Sequence, residues 1–155
     1  MNIVAIIQAR LGSTRLPGKV LNKVDGKTLL SYQIDRIRKA NMIDKIVVAT
    51  TLENTDQPIV QHCYEMGVDF YRGSEDDVLS RYYETAKKYD SDVIVRLTSD
   101  CPLIDPVIID NTIKLFIDSG SNYASNTVPP DSSTFPDGSD VEVFDFLSLE
   151  RAFNE

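Results

Sequence analysis

The residues with the clearest chemical potential form one loop, residues 8–19, with the sequence QARLGSTRLPGK. It follows an apolar run at the N-terminus and contains three cations, two hydroxyls and two glycines, namely Arg10, Arg15, Lys19, Ser13, Thr14, Gly12 and Gly18. Glycine lets backbone N–H groups approach an anion, arginine offers a planar fork to phosphate oxygens, and lysine adds a compact charge. The composition therefore predicts a polyphosphate-binding loop, and the alternative is an exposed basic loop without a ligand.

The distribution of charge favours an anion site. The first 27 residues contain five cations and one carboxylate, whereas the remaining 128 contain eleven cations and 23 carboxylates. Because the net charge is positive only in this short segment, the pattern indicates a specific anion site and not a generally basic surface. The net charge of −8 argues against sequence-independent nucleic-acid binding and against docking on anionic membranes.

The spacing within the loop excludes the two commonest phosphate motifs. A Walker A loop has four residues between its glycines, but five lie between Gly12 and Gly18, and Val20 replaces the hydroxyl residue that would hold Mg²⁺. The dinucleotide fingerprint G-x-G-x-x-G is also absent. We therefore expect an anion cradle of another type, and a P-loop kinase is disfavoured.

A second group of reactive residues is RLTSDCPLID, residues 96–105. Asp100 lies just past a buried apolar run and is followed by Pro102, so it is well placed to ligate a Mg²⁺ ion that bridges phosphate oxygens. Asp105 precedes Pro106, which favours a helix N-cap.

Two acidic segments leave alternatives open. RGSEDD, residues 72–77, is either a capped helix start or a nucleotide contact. FPDGSDVE, residues 135–142, contains Asp137, Asp140 and Glu142, which could bind sugar hydroxyls or a second metal, or form an Asx-type turn. The single histidine, His62, is expected on the surface of a helix, with no Ser-His-Asp or Cys-His pairing around it.

Alternating strand and helix patterns position these segments. Strands are predicted at residues 2–9, 45–50, 68–71 and 92–97. Helices are predicted at residues 28–40, from a Thr55 cap to Gly67, at 77–89 and at 106–119. This order predicts an α/β fold with a mainly parallel twisted sheet and helices on both faces. Ligands in such sheets bind beyond the carboxyl ends of the strands, where the loop and residues 98–106 should meet.

The C-terminal third has a different character. Residues 121–140 are rich in Ser, Asn, Asp and Pro and are expected to form a long loop, followed by a strand at 140–146 and a helix from 147. We expect one domain spanning residues 1–155. No export or membrane-spanning segment is recognisable, and there are only two cysteines, Cys63 and Cys101, which favours a reduced, cytoplasmic protein with Cys63 in its core.

Five segments together resemble a known family. R-L-G-S-T-R-L-P-G-K is similar to the signature loop of the CTP:sugar-acid cytidylyltransferases, which include the CMP-Kdo and CMP-sialic acid synthetases. The branch of the spore coat polysaccharide biosynthesis protein F combines it with segments like I-V-V-A-T-T, Y-R-G-S-E-D-D-V-L-S-R-Y-Y, R-L-T-S-D-C-P-L-I-D-P and F-P-D-G-S-D-V-E-V-F, in this order. The resemblance implies a nucleotide-diphospho-sugar transferase fold, which is glycosyltransferase-A-like and Rossmann-like.

The resemblance also implies a reaction and a set of residues. CMP would pass from CTP to a sugar hydroxyl with release of pyrophosphate, for cell-surface or spore-coat polysaccharide synthesis, with Mg²⁺ as cofactor. Arg10 and Lys19 would be catalytic and would hold the triphosphate together with Gly12, Ser13 and Arg15. The backbone near Ala9 and the segment around Ser74 and Arg81 would lie near the base, and Asp100 would bind Mg²⁺.

One departure concerns length. Members of the family continue past segments used in dimerisation to a later aspartate, the second metal ligand. We therefore expect this domain to lack its C-terminal part, and Asp140 could take the place of that ligand. The partners implied are CTP, a sugar and a second copy in a homodimer. A non-catalytic nucleotide- or sugar-binding module and a related transferase for another nucleoside triphosphate remain as alternatives.

Overall fold

A computed structural model describes residues 1–12, 14–127 and 134–155, and these form thirteen regular elements. The strands are β1 (Ile3–Gln8), β2 (Lys23–Val24), β3 (Lys27–Thr28), β4 (Lys45–Thr51), β5 (Asp69–Gly73), β6 (Val93–Thr98), β7 (Tyr123–Ser125) and β8 (Glu142–Asp145). The helices are α1 (Leu29–Ile37), α2 (Gln57–Met66), α3 (Val78–Lys88), α4 (Pro106–Ser119) and α5 (Phe146–Asn154). Short 3-10 turns occupy Lys19–Leu21 and Asn54–Asp56.

Six strands form the central sheet in the order β5-β4-β1-β6-β8-β7. The first four strands run parallel, and β8 and β7 add antiparallel pairs beside β6. β2 and β3 form a separate small hairpin. The expected mainly parallel sheet is thus confirmed, with a mixed edge.

Helices cover both faces of the sheet. In β1, Ile3, Ala5 and Ile7 point to the core shared with α1, α2 and α4, whereas Val4 and Ile6 point to the core shared with α3 and α5. A strand buried on both faces has no polar alternation, which explains why β1 is continuously apolar. Cys63 lies in the first core, and burial raises the pKa of its thiol to about 12.

The helix ends follow local capping rules with one exception. Gly67 and Gly120 end α2 and α4 in the left-handed conformation. The side chain of Asp105 accepts a 2.8 Å hydrogen bond from the Val107 N–H, so the expected N-cap is confirmed. The expected Thr55 cap is wrong, because the turn Asn54–Asp56 moves the start of α2 to Asp56.

The interval expected to be one long loop, residues 121–140, contains β7. Tyr123 and Ser125 pair with β8, a long-range pairing that the local sequence pattern does not show. Residues 128–133 lie outside the described part of the chain. Among the helices that the structure describes, none is both long and apolar enough to cross a membrane.

Candidate active site

The carboxyl ends of β1 and β6 lie side by side, because Gln8 is in register with Thr98. The segments that follow them therefore meet at one edge of the sheet, as expected, and enclose a cleft of about 380 Å³. The first segment contributes Arg10, Thr14, Arg15 and Lys19 to the lining, and the β6 side contributes Arg96, Thr98, Ser99 and Asp100. The structure thus brings together the predicted cationic loop and the predicted metal ligand.

Backbone hydrogen bonds close the cationic loop. The Ala9 N–H donates to the carbonyl of Ala49 (3.1 Å), and the Gly18 N–H donates to the carbonyl of Leu11 (3.0 Å). Gly18 has φ 72°, a left-handed conformation that favours glycine at the turn into Lys19. Ser13 lies outside the described residues, so its predicted role stays a prediction.

The cations of the loop are accessible to a ligand. Arg10 and Arg15 are exposed and Lys19 is half-buried, and all three line the cleft. Arg10 Nη1 lies 3.4 Å from Glu75 Oε1, and both side chains are substantially exposed. A Cβ atom on Gly12 would lie 3.4 Å from the same oxygen, so the loop passes close to Glu75. The arrangement offers three positive charges to an anion in the cleft.

Asp100 is held in its charged form beside these cations. Its Oδ1 accepts a 2.7 Å hydrogen bond from the Thr98 hydroxyl, and this bond together with the charge of Lys19 lowers the pKa of the carboxyl. An exposed, ionised carboxylate at the edge of a phosphate-sized cleft has the chemistry of a ligand for a hard divalent cation.

A second compartment of about 560 Å³ adjoins the first and shares Arg96, Thr98 and Asp100 with it. Its other lining residues are Cys101, Asp137, Gly138 and Asp140. Burial and the neighbouring carboxylates of Asp137, Asp100 and Glu142 raise the pKa of Asp140. The two compartments therefore have opposite character, one cationic and one acidic.

An Asx-type turn is one of the alternatives that the sequence leaves open for the acidic segment, and the structure shows a turn closed by a serine. Ser139 closes it, because its hydroxyl and its N–H both donate to the carbonyl of Pro136, at 2.6 and 3.3 Å. Glu142 lies on β8 and accepts a 2.7 Å hydrogen bond from Arg96. Within the described residues there is no group of three or more His, Cys, Asp or Glu side chains arranged to hold a metal.

Arg81 lies within electrostatic range of Arg10, but neither Ser74 nor Arg81 lines either compartment. Arg81 is only 1% exposed, and its Nη1 donates a 2.5 Å hydrogen bond to the carbonyl of Ser74. Burial and the charge of Arg10 lower the pKa of its guanidinium. Asp77 caps α3 by accepting from the Ser80 N–H (2.8 Å), so the helix-cap interpretation of its segment is confirmed for this residue.

The expectation that His62 lies on the surface of a helix is wrong. Its Nε2 lies 2.9 Å from both the Thr28 and the Ser31 hydroxyls, and its Nδ1 lies 3.8 Å from Glu65. The hydroxyls come from the first turn of α1, which no sequence spacing connects to α2. Ser31 is 4% exposed and lines neither compartment, so the cluster joins two helices.

Three residues with clear contacts at this edge were not singled out from the sequence: Asp56, Glu75 and Arg96. Arg96 had a signal, since it is the single charged residue of β6. Glu75 belongs to the segment 72–77, for which a helix start and a nucleotide contact are equally compatible with the sequence. Asp56 had no signal, because its partner lies 45 residues away in the chain.

The sequence and the fold are similar to those of known cytidylyltransferases. A family model for cytidylyltransferases matches residues 4–152. An uncharacterised protein of Methanocaldococcus jannaschii is 40% identical over 153 residues, covering 99% of this chain and 60% of that protein. The spore coat polysaccharide biosynthesis protein SpsF of Bacillus subtilis is 40% identical over 126 residues, covering 79% of this chain and 52% of that protein. The 3-deoxy-manno-octulosonate cytidylyltransferase of Trichlorobacter lovleyi is 36% identical over 119 residues, covering 76% of this chain and 46% of that protein.

Solved structures share the fold. A cytidylyltransferase from Leptospira borgpetersenii has a TM-score of 0.92 and 38% identity, covering 99% of this chain and 64% of that one. A CMP:2-keto-3-deoxy-manno-octonic acid synthetase complexed with CTP has a TM-score of 0.77 and 18% identity, covering 99% and 78%. The expected nucleotide-diphospho-sugar transferase fold is thus confirmed. The chain spans about half the length of the curated relatives it matches, 46–60%. Because the family model matches residues 4–152, nearly the whole sequence, the chain belongs to the cytidylyltransferase family.

Proposed function

We propose that this protein transfers CMP from CTP to a sugar hydroxyl and releases pyrophosphate. The observation that carries the proposal is the meeting of Arg10, Arg15 and Lys19 with Asp100 in one cleft at the carboxyl ends of β1 and β6. Family membership supports the choice of a cytidine nucleotide.

The cations act on the phosphates. Arg10, Arg15 and Lys19 bind the triphosphate, and Arg10 and Lys19 neutralise the charge that grows on the α-phosphate and on the departing pyrophosphate. Phosphoryl-type transfer depends mainly on positioning and charge neutralisation, which fixed cations supply in a partly enclosed site. The backbone of Ala9 and the segment of Ser74 and Arg81, which follows β5 at the same edge of the sheet, support the base.

Asp100 is the proposed Mg²⁺ ligand, with Asp140 as the second. Both carboxylates line the acidic compartment. Burial and the neighbouring carboxylates of Asp137 and Asp100 raise the pKa of Asp140, and a divalent cation held by Asp100 and Asp140 would relieve this repulsion. Magnesium is commonly held by one or two carboxylates plus water and phosphate oxygens, so the donor set fits. When bound, the ion would supply Lewis-acid stabilisation of the phosphate charge.

The acidic compartment is the proposed acceptor site. Carboxylates of Asp137 and Asp140 can accept hydrogen bonds from sugar hydroxyls, and the attacking hydroxyl would then face the cationic compartment across Asp100. A role in polysaccharide synthesis and a sugar acid as acceptor are supported by the names of the relatives, SpsF and 3-deoxy-manno-octulosonate cytidylyltransferase.

A nucleotide screen tests the proposal. Thermal shifts with CTP, UTP, GTP and ATP, each with Mg²⁺, should show the largest stabilisation with CTP, because a ligand stabilises the state that it binds. Pyrophosphate release with candidate sugars then tests turnover. A shift no larger with CTP than with the other nucleotides would refute the cytidine assignment, and CTP binding without pyrophosphate release would indicate a binding module.

A matched pair of lysine variants tests the loop. Lys19→Met should weaken CTP binding roughly ten- to a hundredfold, the equivalent of one charge-assisted hydrogen bond. Lys39→Met removes the same charge at an exposed position that does not line the cleft, and should leave CTP binding unchanged. Equal affinities for the two variants would contradict a triphosphate site at Lys19.

A further inference from the structure

Asp56 occupies the N-cap position of α2 but does not cap this helix. The side chains of Thr28, Asp77, Asp105 and Asp145 each accept a hydrogen bond from an N–H of the helix that they precede. The Asp56 side chain makes no such bond, although aspartate is among the best N-cap residues. It is also only 2% exposed, so its carboxylate must find its partners elsewhere.

Both oxygens of this carboxylate are hydrogen bonded to other segments. Oδ1 accepts a 2.7 Å hydrogen bond from the Leu11 N–H, and Oδ2 accepts a short hydrogen bond from the Thr51 hydroxyl at the end of β4. The charge of Asp56 also acts on the buried guanidinium of Arg81 and raises its pKa, against the larger lowering by burial. The carboxylate therefore joins the end of β4 to the first residues of the cationic loop.

Leu11 is the residue through which the loop is closed. Its N–H is held by Asp56, and its carbonyl accepts from the Gly18 N–H. Arg10 precedes this anchored peptide directly, and Lys19 follows Gly18 directly. A displacement of Leu11 would therefore move the two cations at opposite ends of the loop together.

The segment that bears Asp56 is itself fixed from β5. The guanidinium of Arg72 donates from Nε to the carbonyl of Thr51 (2.8 Å), from Nη2 to the carbonyl of Glu53 (2.8 Å) and from Nη1 to Gln57 Oε1 (3.0 Å). Three bonds from one planar group leave this turn little freedom. A rigid turn can transmit position to the loop that it contacts.

We infer that Asp56 is a positioning residue for the triphosphate, although it lines neither compartment. It holds the Leu11 peptide so that Arg10 and Lys19 reach the phosphates together, and this inference rests on the proposed function. Groups that orient the residues in contact with a ligand often matter as much to affinity as those residues, because small displacements are costly.

Asp56→Ser separates this role from a local role at α2. Serine is a good N-cap, so the helix start is retained, but its short side chain cannot reach the Leu11 N–H. The variant should bind CTP on the order of tenfold more weakly and should lose much less affinity for CMP, which presents one phosphate to the loop where CTP presents three. Asp56→Asn keeps an acceptor oxygen for Leu11 and should bind CTP within about threefold of the wild type.

Asp44→Ala is the matched control. Asp44 Oδ2 accepts a 2.8 Å hydrogen bond from the Ile3 N–H, so this variant removes a carboxylate-to-backbone bond at the opposite end of β1. It should leave the ratio of CTP to CMP affinity unchanged. The positioning role is wrong if Asp56→Ser lowers the affinities for CTP and CMP equally. It is also wrong if the variant lowers neither affinity.

Amide hydrogen exchange at Leu11 gives a readout that needs no nucleotide. Exchange should be slow in the wild type and on the order of tenfold or more faster in Asp56→Ser. Unchanged Leu11 exchange would overturn the inference even if CTP does not bind. Failure of the wild type to bind CTP, with Leu11 protected by Asp56, would refute the proposed function and leave the anchoring of the loop established.

Discussion

Arg96 on β6 and Glu142 on β8 face each other in register across the first antiparallel pair of the sheet, and Arg96 Nη1 donates a 2.7 Å hydrogen bond to Glu142 Oε1. Arg96 also lies over the ring of Tyr82, with 5.7 Å between its guanidinium carbon and the ring centroid. Its guanidinium lines both compartments. The cationic and acidic compartments thus meet at an ion pair whose arginine packs on an aromatic ring.

Breaking this pair should destabilise the protein. Its side chains are 33% and 25% exposed, so removing one partner leaves a partly desolvated charge, and we expect Arg96→Met to cost about 2 kcal/mol of unfolding free energy. Arg96→Met combined with Glu142→Gln should recover about 1 kcal/mol, because no charge then lacks its partner. Urea denaturation of the two single variants and the double variant measures the coupling, and strictly additive losses would contradict it.

The order of strands and helices was predictable because each element carries its own local pattern. The apolar run of β1 and the spacing of Leu30, Ile34 and Ile37 in α1 required no knowledge of the rest of the chain. β7 was missed because its three residues become a strand only through pairing with β8. The N-terminus of α2 was misplaced by one residue because a 3-10 turn precedes it.

The candidate site also has a part that the local sequence predicts and a part that it does not. The positions of Lys19 and Asp100 follow from the rule that parallel strands deliver their loops to one edge. The partners of these loops do not follow, because Asp56 and Glu75 come from segments with no sequence relation to them. Pairings of this kind depend on the packed structure.

Glu75 should compete with the triphosphate for Arg10. The pair is 3.4 Å apart and exposed, so removing the carboxylate by Glu75→Gln frees Arg10 and should tighten CTP binding by about two- to threefold at low salt. The difference should shrink as the salt concentration rises, since exposed charges are screened. Asp76→Asn, one residue away, is the control for the change in net charge. Titration calorimetry at two salt concentrations checks this, and weaker binding by Glu75→Gln would contradict it.

The two proposed metal ligands should affect the Mg²⁺ requirement differently. Asp100→Asn should raise the Mg²⁺ concentration for half-maximal activity by about tenfold or more, since it removes the ligand whose lowered pKa keeps it ionised. Asp140→Ala should have a smaller effect of the same sign. Mn²⁺ binding followed by electron paramagnetic resonance gives a readout separate from turnover. Unchanged Mg²⁺-dependent activity in Asp140→Ala would exclude Asp140 as a ligand.

The stability contributed by Asp35 should depend on pH. A hydrogen bond and charge from Lys27, followed by those of Arg38, lower the pKa of this carboxyl below 3.8. A lowered pKa means that the contribution is complete above the unfolded value of 3.8 and is lost as the pH falls through the folded value. Because all three side chains are more than a third exposed, Asp35→Asn should cost less than about 1 kcal/mol at pH 7. Urea midpoints of both proteins should converge below pH 3.8, and a constant gap would contradict the assignment.

His62 should stabilise the packing of α1 on α2 without affecting the nucleotide. Its Nε2 lies 2.9 Å from the hydroxyls of Thr28 and Ser31, both of which are nearly buried. His62→Leu removes this partner, and we expect a loss of about 1 to 2 kcal/mol of unfolding free energy, because the two hydroxyls can then bond only to each other. Gln61→Leu, at the exposed neighbouring position, should change stability by less than about 0.5 kcal/mol. CTP affinity should be the same in both variants, and a selective loss of CTP binding in His62→Leu would show that this cluster takes part in the site rather than in joining the helices.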